Sequence, residues 1–319
     1  YQHLIKFHTS LNLSPEEIHQ IGLNEVKRIK DEMEIVKEQT GFKGTLQEFN
    51  HFLRTDSQFY YTKKEDLLNS YRQILSEMDK KLPELFGHLP KATYEIKEIE
   101  EYRAKSAPQA FYYSAPDDGS RPGYYYANTF DLSARPKFTM TALSLHEAVP
   151  GHHLQIALAQ ELESFPWFRK HLEMTAFIEG WALYAESLGY ETGMYDDKYQ
   201  HYGALTYEME RACRLVIDTG LHHKKWTREQ AIEYLKINTP SAEIDIIAEI
   251  ERYIVWPGQA LAYKLGEMKI TELRKLAQNE LGDRFDVREF HDNVLVHGAI
   301  PLSMLEKFIK EWIRYKKNN

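Results

Sequence analysis

The chain has 319 residues, of which 43% are apolar and 28% are charged, and its formal net charge is −8. This is the composition of a folded protein with one large domain or two smaller ones. The negative charge gives no electrostatic support for a nucleic-acid partner, and no apolar run approaches the roughly 20 residues that span a bilayer. The only cysteine, Cys213, excludes an intrachain disulfide framework and a cysteine-rich metal site.

The first strong pattern is a helix start at Ser14-Pro15-Glu16-Glu17. Ser14 is the expected N-cap, proline is favoured in the first turn, and Glu17 closes a capping box. Apolar residues recur at helical spacing after this start, which predicts one long helix over 15–39. Further helices are predicted near 45–54 and 63–80.

The stretch 91–130 has a different pattern. It contains an alternating segment and two aromatic segments, and the turn residues Asp117-Asp118-Gly119 separate the two aromatic ones. Alternation and aromatic runs bounded by turn residues are typical of strands. We therefore expect two or three strands that form a small β subregion at 91–130.

From about 138 to the end the pattern is almost wholly helical. Gly220, Gly282 and Gly298 are expected to end helices or to form turns. No repeat or linker interrupts the pattern, so the sequence predicts a mainly α protein with one small β-sheet, in a single mostly helical domain over 1–319. The helices predicted from apolar spacing are 138–162, 170–192, 197–220, 227–237, 241–254, 257–281, 286–295 and 301–317.

The segment His146-Glu147-Ala148-Val149-Pro150-Gly151-His152-His153 places three imidazoles and a carboxylate inside one predicted helix. Neutral imidazole is the commonest protein ligand for zinc, and a His-Glu pair followed by His four residues later is the zinc-protease signature. Here position 150 is proline instead. On a straight helix His153 would lie roughly 10 Å along the axis from His146, and His152 would be turned about 120° away. Neither position lets two imidazoles share one ion.

Pro150 and Gly151 suggest how the spacing is resolved. Proline removes the hydrogen bond to the carbonyl of His146, and glycine accepts the torsions that a break requires. We expect a distorted backbone at 149–151 that turns His152 toward His146 as a second metal ligand. His153 is expected to support a ligand from behind or to pack in the core. Core or surface histidines without a metal are the alternative interpretation.

A third ligand is expected from the next predicted helix, at Glu179 or Glu186. In zinc peptidases of the glutamate-ligand kind, a glutamate from a neighbouring antiparallel helix joins two histidines. Glu179 is the preferred ligand, because Gly180 beside it would let the two helices approach closely. Glu186 lies two turns on along the same face and would then orient a histidine. The two glutamates could exchange these roles, and two solvent-facing carboxylates are the structural alternative.

These residues together predict a zinc hydrolase. Zn²⁺ bound by two histidines and Glu179 would leave one position for water and lower its pKa, and Glu147 would act as the general base. A further donor is expected to stabilise the oxyanion. Tyr253 and His222 are predicted for this catalytic role, and Arg211 and Arg252 are predicted to bind substrate. Each has a structural alternative, such as a buried ion pair for Arg211 or a core position for Tyr253.

Five segments resemble one large bacterial family. It is catalogued mainly as a domain of unknown function, carries the signature HExxPGH, and is grouped with the glutamate-ligand zincin metallopeptidases. The resemblance runs from about residue 10 to the end and implies a multi-helix, zincin-like metallopeptidase domain with its small sheet near the active site. The segments are HEAVPGHHLQ (146–155), EGWALYAE (179–186), RLVIDTGLHHKKWTREQAI (214–232), RYIVWPGQALAYKLG (252–266) and FHDNVLVHGAIPLSML (290–305).

The resemblance also implies a longer protein. Family members typically carry an N-terminal helical half, so this chain would correspond to the C-terminal, motif-bearing portion. The N-terminal half would then be a partner that forms one wall of the substrate cleft. Many members carry export signals, which implies a periplasmic or secreted location. The first residues of this chain show no signal peptide, so a cytoplasmic location stays open.

The leading hypothesis is a zinc-dependent peptidase that hydrolyses short peptides. An edge strand of the small sheet would hold a peptide backbone by strand addition, although simple packing explains such a strand equally well. The alternative among hydrolases is a metal-dependent amidase that acts on a non-peptide amide. The alternative of another class is a non-catalytic helical binding protein that kept the motif and lost the metal.

Overall fold

Fifteen α-helices and one three-stranded sheet form the structure, a computed structural model that describes residues 1–319. The mainly α class with one small sheet is confirmed. No helix combines the length and apolar content that a membrane span requires. The helices are α1 (Gln2–Thr9), α2 (Pro15–Gln39), α3 (Leu46–Thr55), α4 (Lys64–Leu85), α5 (Glu101–Ala104), α6 (Met140–Glu147), α7 (His152–Gln160), α8 (Trp167–Lys170), α9 (Thr175–Glu191), α10 (Lys198–His222), α11 (Arg228–Asn238), α12 (Glu243–Val255), α13 (Leu261–Leu281), α14 (Val287–Leu295) and α15 (Leu302–Asn318). The strands are β1 (Tyr94–Glu98), β2 (Ala110–Tyr113) and β3 (Gly123–Ala127).

Capping chemistry in the sequence explains where α2 begins. The Ser14 hydroxyl accepts a hydrogen bond from the Glu17 N–H at 3.3 Å, and the Glu17 carboxylate accepts one from the Ser14 N–H at 2.8 Å. The helix predicted over 15–39 is confirmed. By contrast, α4 continues past its predicted end at 80 and runs through Pro83 to Leu85, because burial of its last leucines outweighs the proline.

Two of the three glycines expected at helix ends stand there. Gly282 and Gly298 adopt positive φ angles of 52° and 62° shortly after α13 and α14 end. Gly220 does not end a helix, because α10 continues to His222. A Cβ at Gly220 would lie 2.6 Å from the ring of Trp226, so this glycine serves close packing.

The three strands pair in the order β1-β3-β2. β1 runs parallel to β3, and β2 runs antiparallel to it with Tyr112 opposite Tyr125. The turn predicted between β2 and β3 is present, with Gly119 at a φ of 65°. β2 is an edge strand that packs beside α6. The sheet therefore lies next to the helix that begins the histidine motif, as the sequence predicts.

Two large apolar clusters hold the helices around that motif. One packs α4, α6, α9 and α13–α15 against the sheet, and the other packs α2, α3 and α10–α12. Gly180 of α9 meets Gly266 of α13, where a Cβ on Gly180 would lie 2.5 Å from the other backbone. The expectation that Gly180 brings α9 close to the histidine helix is therefore corrected. Position 180 is rotated about 100° from Glu179 and faces α13 instead.

Candidate metal centre

The helix predicted over 138–162 is two helices in the structure. α6 ends at Glu147 and α7 begins at His152, and the turn between them contains a cis Val149–Pro150 peptide bond. The distorted backbone expected at 149–151 is present. The histidines of the motif therefore stand on two separate helices whose relative direction the turn decides.

Two contacts define this turn. The Trp181 indole N–H donates to the Pro150 carbonyl at 2.9 Å, which ties the turn to α9. Gly151 has a φ of −79°, but a Cβ there would lie 1.9 Å from the carbonyl oxygen of His146. The close approach of the chain to itself, rather than a left-handed φ, requires glycine here.

The turn brings two imidazoles and a carboxylate together. Nε2 of His146 lies 3.7 Å from Oε2 of Glu179, and Nε2 of His152 lies 3.4 Å from the same oxygen. The two imidazole rings stand nearly perpendicular, with centroids 4.8 Å apart. One donor atom from each residue lies within 4.8 Å of the others. The three residues predicted as ligands thus converge from α6, α7 and α9, and we call them the triad.

Charges in and around the triad are strongly coupled. Nδ1 of His146 donates to Glu186 at 2.7 Å. Although burial opposes a charged imidazole, the carboxylates of Glu179 and Glu186 raise the pKa of His146 to about 9. Burial also opposes ionisation of Glu179, but His152 and His146 hold its pKa well below the usual range. Of the two glutamates, Glu179 faces both imidazoles and Glu186 orients one of them.

The donor set of the triad suits a zinc ion. Two imidazole nitrogens and one carboxylate oxygen are a ligand set of catalytic zinc sites, and ligands about 2.0–2.2 Å from an ion lie roughly 3.3–3.6 Å from one another. The separations of 3.4 and 3.7 Å are close to that range. Oε2 of Glu179 is buried without a hydrogen-bond partner, which is rare for a carboxylate oxygen. A cation between the imidazoles would satisfy it.

Glu147 ends α6 beside the triad but is not one of its donors. The backbone N–H of Tyr112, on the edge of β2, donates to Oε2 of Glu147 at 2.9 Å. Burial raises the pKa of Glu147, while the nearby His146 and His152 oppose the rise. The sheet therefore holds this carboxylate in place at the wall of a cleft.

His153 points away from the triad. Its Nδ1 is 2.9 Å from the hydroxyl of Tyr112, and its ring packs against Tyr94 with centroids 4.6 Å apart. Burial lowers the pKa of His153 to about 4, so the ring is neutral at ordinary pH. Of the two roles left open for it, His153 packs in the core. It contacts Tyr112 there, and the backbone N–H of Tyr112 holds Glu147.

A cleft of about 610 Å³ opens over the triad. Arg211 and Arg252, both predicted to bind substrate, line its wall. An adjoining cavity of about 860 Å³ shares Glu179, Trp256 and Gln259 with this cleft. The triad therefore lies where two parts of one groove meet.

Two predicted catalytic donors do not reach the groove, and these predictions are corrected. Tyr253 is fully buried, and its hydroxyl donates to Glu249 at 2.7 Å and accepts from Nε of Arg214 at 2.8 Å. Nε2 of His222 lies 2.9 Å from the Tyr253 carbonyl. Because α10 does not stop at Gly220, it carries His222 roughly 12 Å along its axis beyond Arg214. Neither residue lines either part of the groove.

The structure brings Tyr263 and Gln259 to the cleft instead. The guanidinium of Arg214 lies 4.3 Å from the centre of the Tyr263 ring. Burial and the nearby Glu179 carboxylate raise the pKa of Tyr263 to about 12, so its hydroxyl stays protonated. Gln259 precedes α13 and Tyr263 lies in its first turn, and no local signal in the sequence marks either of them as a cleft residue.

A comparison with protein families identifies a family of unknown function. The profile of a family described as "Bacterial protein of unknown function (DUF885)" matches residues 1–309. No functionally curated protein matches the chain. The family match covers the triad, Glu147 and the residues that line the cleft.

Two solved structures are similar to the chain over nearly its whole length. A "putative lipoprotein" from Colwellia psychrerythraea is 44% identical with a TM-score of 0.97, and the similarity covers 99% of this chain and 55% of that one. A "putative lipoprotein of unknown function" from Shewanella oneidensis is 19% identical with a TM-score of 0.82, over 97% of this chain and 59% of that one. The second likeness concerns the fold alone. This chain thus spans less than two thirds of the length of either protein.

Proposed function

We propose that this chain, which belongs to the bacterial DUF885 family of proteins of unknown function, carries the active site of a zinc-dependent peptidase that hydrolyses short peptides. The observation that supports this most is the convergence of two imidazole nitrogens on a buried, unpaired carboxylate oxygen. A separate buried carboxylate, that of Glu147, lies beside them. A three-donor metal site with a neighbouring base is the arrangement of zinc enzymes that cleave amides.

His146, His152 and Glu179 would hold the ion in this proposal. Glu186 would fix the ring of His146 through the hydrogen bond to Nδ1, which also sets the nitrogen that faces the metal. Zinc at this place would supply Lewis acidity, which lowers the pKa of water and polarises a carbonyl group. The other steps fall to residues of the chain.

Glu147 is the proposed general base. Its carboxylate takes a proton from the attacking water and passes that proton to the leaving amine. The hydrogen bond from the Tyr112 N–H keeps one carboxylate oxygen against the sheet, so the group does not need to reorient during the reaction.

Tyr263 is the proposed donor to the oxyanion of the tetrahedral intermediate. Tyr263 lines the cleft. Burial and the nearby Glu179 carboxylate raise the pKa of its hydroxyl, which therefore remains protonated at neutral pH. Developing negative charge is stabilised by hydrogen-bond donors that are fixed before the reaction begins. Packing of its ring against the guanidinium of Arg214 provides that fixation.

The edge of β2 is the proposed binding site for the substrate backbone. In an antiparallel ladder, alternate residues of a strand point their N–H and C=O groups away from the partner strand. The Gln109 carbonyl accepts from the Asn128 N–H beside β3, so Ala110 and Tyr112 face outward at the cleft. The Tyr112 N–H is donated to Glu147, which leaves the backbone groups of Ala110 and the Tyr112 carbonyl for a substrate. An extended peptide added at this edge would pass beside Glu147.

We also propose an exported location, periplasmic or secreted. The relative from Colwellia psychrerythraea is described as a "putative lipoprotein", and this description is the ground for the proposal. Cell fractionation of the native protein tests it, and recovery in the cytoplasmic fraction alone would contradict it.

Metal analysis and peptide digestion test the peptidase proposal. Protein purified without chelators is expected to hold one zinc ion and to cleave a peptide library, with the products read by mass spectrometry. Glu147→Gln should keep the zinc and lose about 100- to 10,000-fold in kcat, because only the base is removed. Glu191→Gln is the matched control, since Glu191 pairs with Arg274 away from the groove. Absence of zinc, or full activity of Glu147→Gln, would overturn the proposal.

A further inference from the structure

Arg211 is a buried guanidinium with almost no hydrogen bonds. Its side chain is 6% exposed. Its single hydrogen bond runs from Nη1 to the Tyr207 carbonyl at a long 3.5 Å, and Nε has no partner at all. An arginine offers five N–H donors, and buried charged groups normally have them paired. The ring of Tyr207, 4.5 Å from the guanidinium carbon, sets the orientation of this group against the cleft.

The neighbouring carboxylates do not satisfy Arg211. Glu186 lies 3.7 Å from Nη2, and Glu210 lies 4.0 Å from Nη1, which are ion-pair distances beyond hydrogen-bond range. Glu186 is engaged with His146, and Glu210 is engaged with Arg214 at 2.9 Å. Each carboxylate thus has a hydrogen bond to another residue and none to Arg211, so the donors of Arg211 stay available.

Arg214 adds a second unpaired donor on the same face of α10. Its Nε and Nη2 bond to Tyr253, Glu210 and Glu249, all at 2.8–2.9 Å, but Nη1 is buried without a partner. Arg252, which lines the same cleft, differs: its three nitrogens bond to Glu249 and Gln259. Among the three arginines that α10 and α12 bring to the cleft, the unsatisfied donors thus belong to Arg211 and Arg214.

The distance from these donors to the triad limits what they could bind. A contact of 3.7 Å joins Arg211 to Glu186, and one of 2.7 Å joins Glu186 to His146. Extended peptide spans about 3.3–3.6 Å per residue. These contacts reach Nδ1 of His146, on the far side of its ring from the triad, so a group bound by Arg211 would lie within about three residues of a carbonyl held at the triad.

We propose that Arg211 and Arg214 form a carboxylate-binding site, so that the preferred substrates carry a carboxylate within about three residues of the scissile bond. The role of this site in substrate choice rests on the proposed peptidase function. Guanidinium groups bind carboxylates through paired N–H donors, which matches the free donors here. The carboxylate is the C-terminus of a short peptide or the side chain of an Asp or Glu residue, two sources of the same chemistry.

Binding to the metal-depleted protein tests the site without requiring catalysis. The probes are N-acetyl-Ala-Ala, its C-terminal amide, and N-acetyl-Ala-Glu amide, each titrated to millimolar concentration and followed by NMR line shape or calorimetry. The free acid is expected to bind at least about tenfold more tightly than the amide, because a charged hydrogen-bonded pair is lost. Binding of the Glu amide like the acid would assign the site to side-chain carboxylates as well.

Two variants show whether Arg211 carries the preference. Arg211→Lys keeps the charge but loses the planar fork, so the preference for the acid should fall to less than threefold. Arg274→Lys is the matched control, because Arg274 is also a helix arginine with an unpaired Nε but lies outside the groove. Thermal unfolding and zinc affinity of both variants separate loss of binding from damage to the fold or to the triad.

The outcomes distinguish this inference from the peptidase proposal. If acid and amide bind equally, or neither binds, the carboxylate site is wrong even where peptides are cleaved. If the acid is preferred but no peptide is hydrolysed by the zinc-loaded protein, the site stands and the peptidase proposal falls. Retention of the full preference in Arg211→Lys would also overturn the assignment.

Discussion

Two proline–glycine pairs break the helices of this chain, and they lead to opposite results. Pro150-Gly151 separates α6 from α7 and directs His152 back toward its partners in the triad. Pro257-Gly258 separates α12 from α13, and there the polar neighbours hold the turn itself. The Gly258 N–H, for example, donates to both oxygens of Asp218 at 3.1 Å.

The difference teaches that the number of unpaired hydrogen-bonding atoms, more than the motif, distinguishes a candidate ligand-binding cluster from a structural one. Around the second break, Tyr253, His222 and Asp218 all have protein partners. Around the first, Oε2 of Glu179 and Nδ1 of His152 are buried and have none. Similar residues beside similar breaks therefore differ in whether they keep unpaired hydrogen-bonding atoms that a ligand could bind.

The largest expected difference between the two breaks is in their effect on zinc affinity. His152→Ala should weaken zinc binding by more than about 100-fold, because it removes a proposed ligand and not merely a supporting contact. His222→Ala, the equivalent change beside the second break, should leave the affinity unchanged. Competition with a zinc-sensitive fluorescent chelator measures both constants. Equal affinities in the two variants would remove the distinction between the breaks.

Alanine substitutions of the glycines in the two breaks should differ in their effect on protein stability. Gly151→Ala is expected to lower the free energy of unfolding by more than about 3 kcal/mol, because the new Cβ would meet the His146 carbonyl oxygen at 1.9 Å. Gly258→Ala should cost about 1–2 kcal/mol, since Gly258 has a φ of 85° and its nearest neighbour lies at 3.2 Å. Urea unfolding compares them, and a smaller loss for Gly151→Ala would contradict the packing argument.

Phenylalanine substitutions of Tyr263 and Tyr253 should separate a loss of activity from a loss of stability. Tyr263→Phe is expected to reduce kcat by about 100-fold with little change in unfolding, because its hydroxyl is proposed to act only on the oxyanion. Tyr253→Phe should lower the free energy of unfolding by about 1–3 kcal/mol, because Glu249 and Arg214 lose a buried partner. If Tyr253→Phe lost activity while remaining stable, its exclusion from the site would be wrong.

The smallest effect is a pH dependence at the second break. Burial raises the pKa of Asp218 from 3.8 to about 6, although Tyr1, His222, Arg252 and the Gly258 N–H favour the ionised form. The folded chain then binds the extra proton between about pH 4 and 6, so the free energy of unfolding falls as pH rises through that window, by about 2 kcal/mol or less. The free energy of unfolding of Asp218→Asn, measured across the same pH window, should not show this decrease. An identical pH dependence in both proteins would refute the assignment to Asp218.

Much of this architecture was predictable from residue patterns. The capping box at Ser14, the apolar spacing of α2 and the turn at Gly119 are local features, and they act in the folded chain as they do in a short peptide. The end of α4 was not predictable, because Pro83 argues locally for a stop and only burial of Leu85 overrides it. The same holds for Gly220, whose close neighbour Trp226 is revealed only by packing.

The residues of the candidate centre divide in the same way. The histidine spacing, the proline–glycine break and a glutamate on the next helix were enough to predict which side chains would converge, because a break has few ways to return His152 to His146. Tyr263 rather than Tyr253 at the cleft, and the unpaired donors of Arg211, came from tertiary structure alone. They depend on how α10, α12 and α13 rotate against one another, and helix rotation is decided by packing over the whole core.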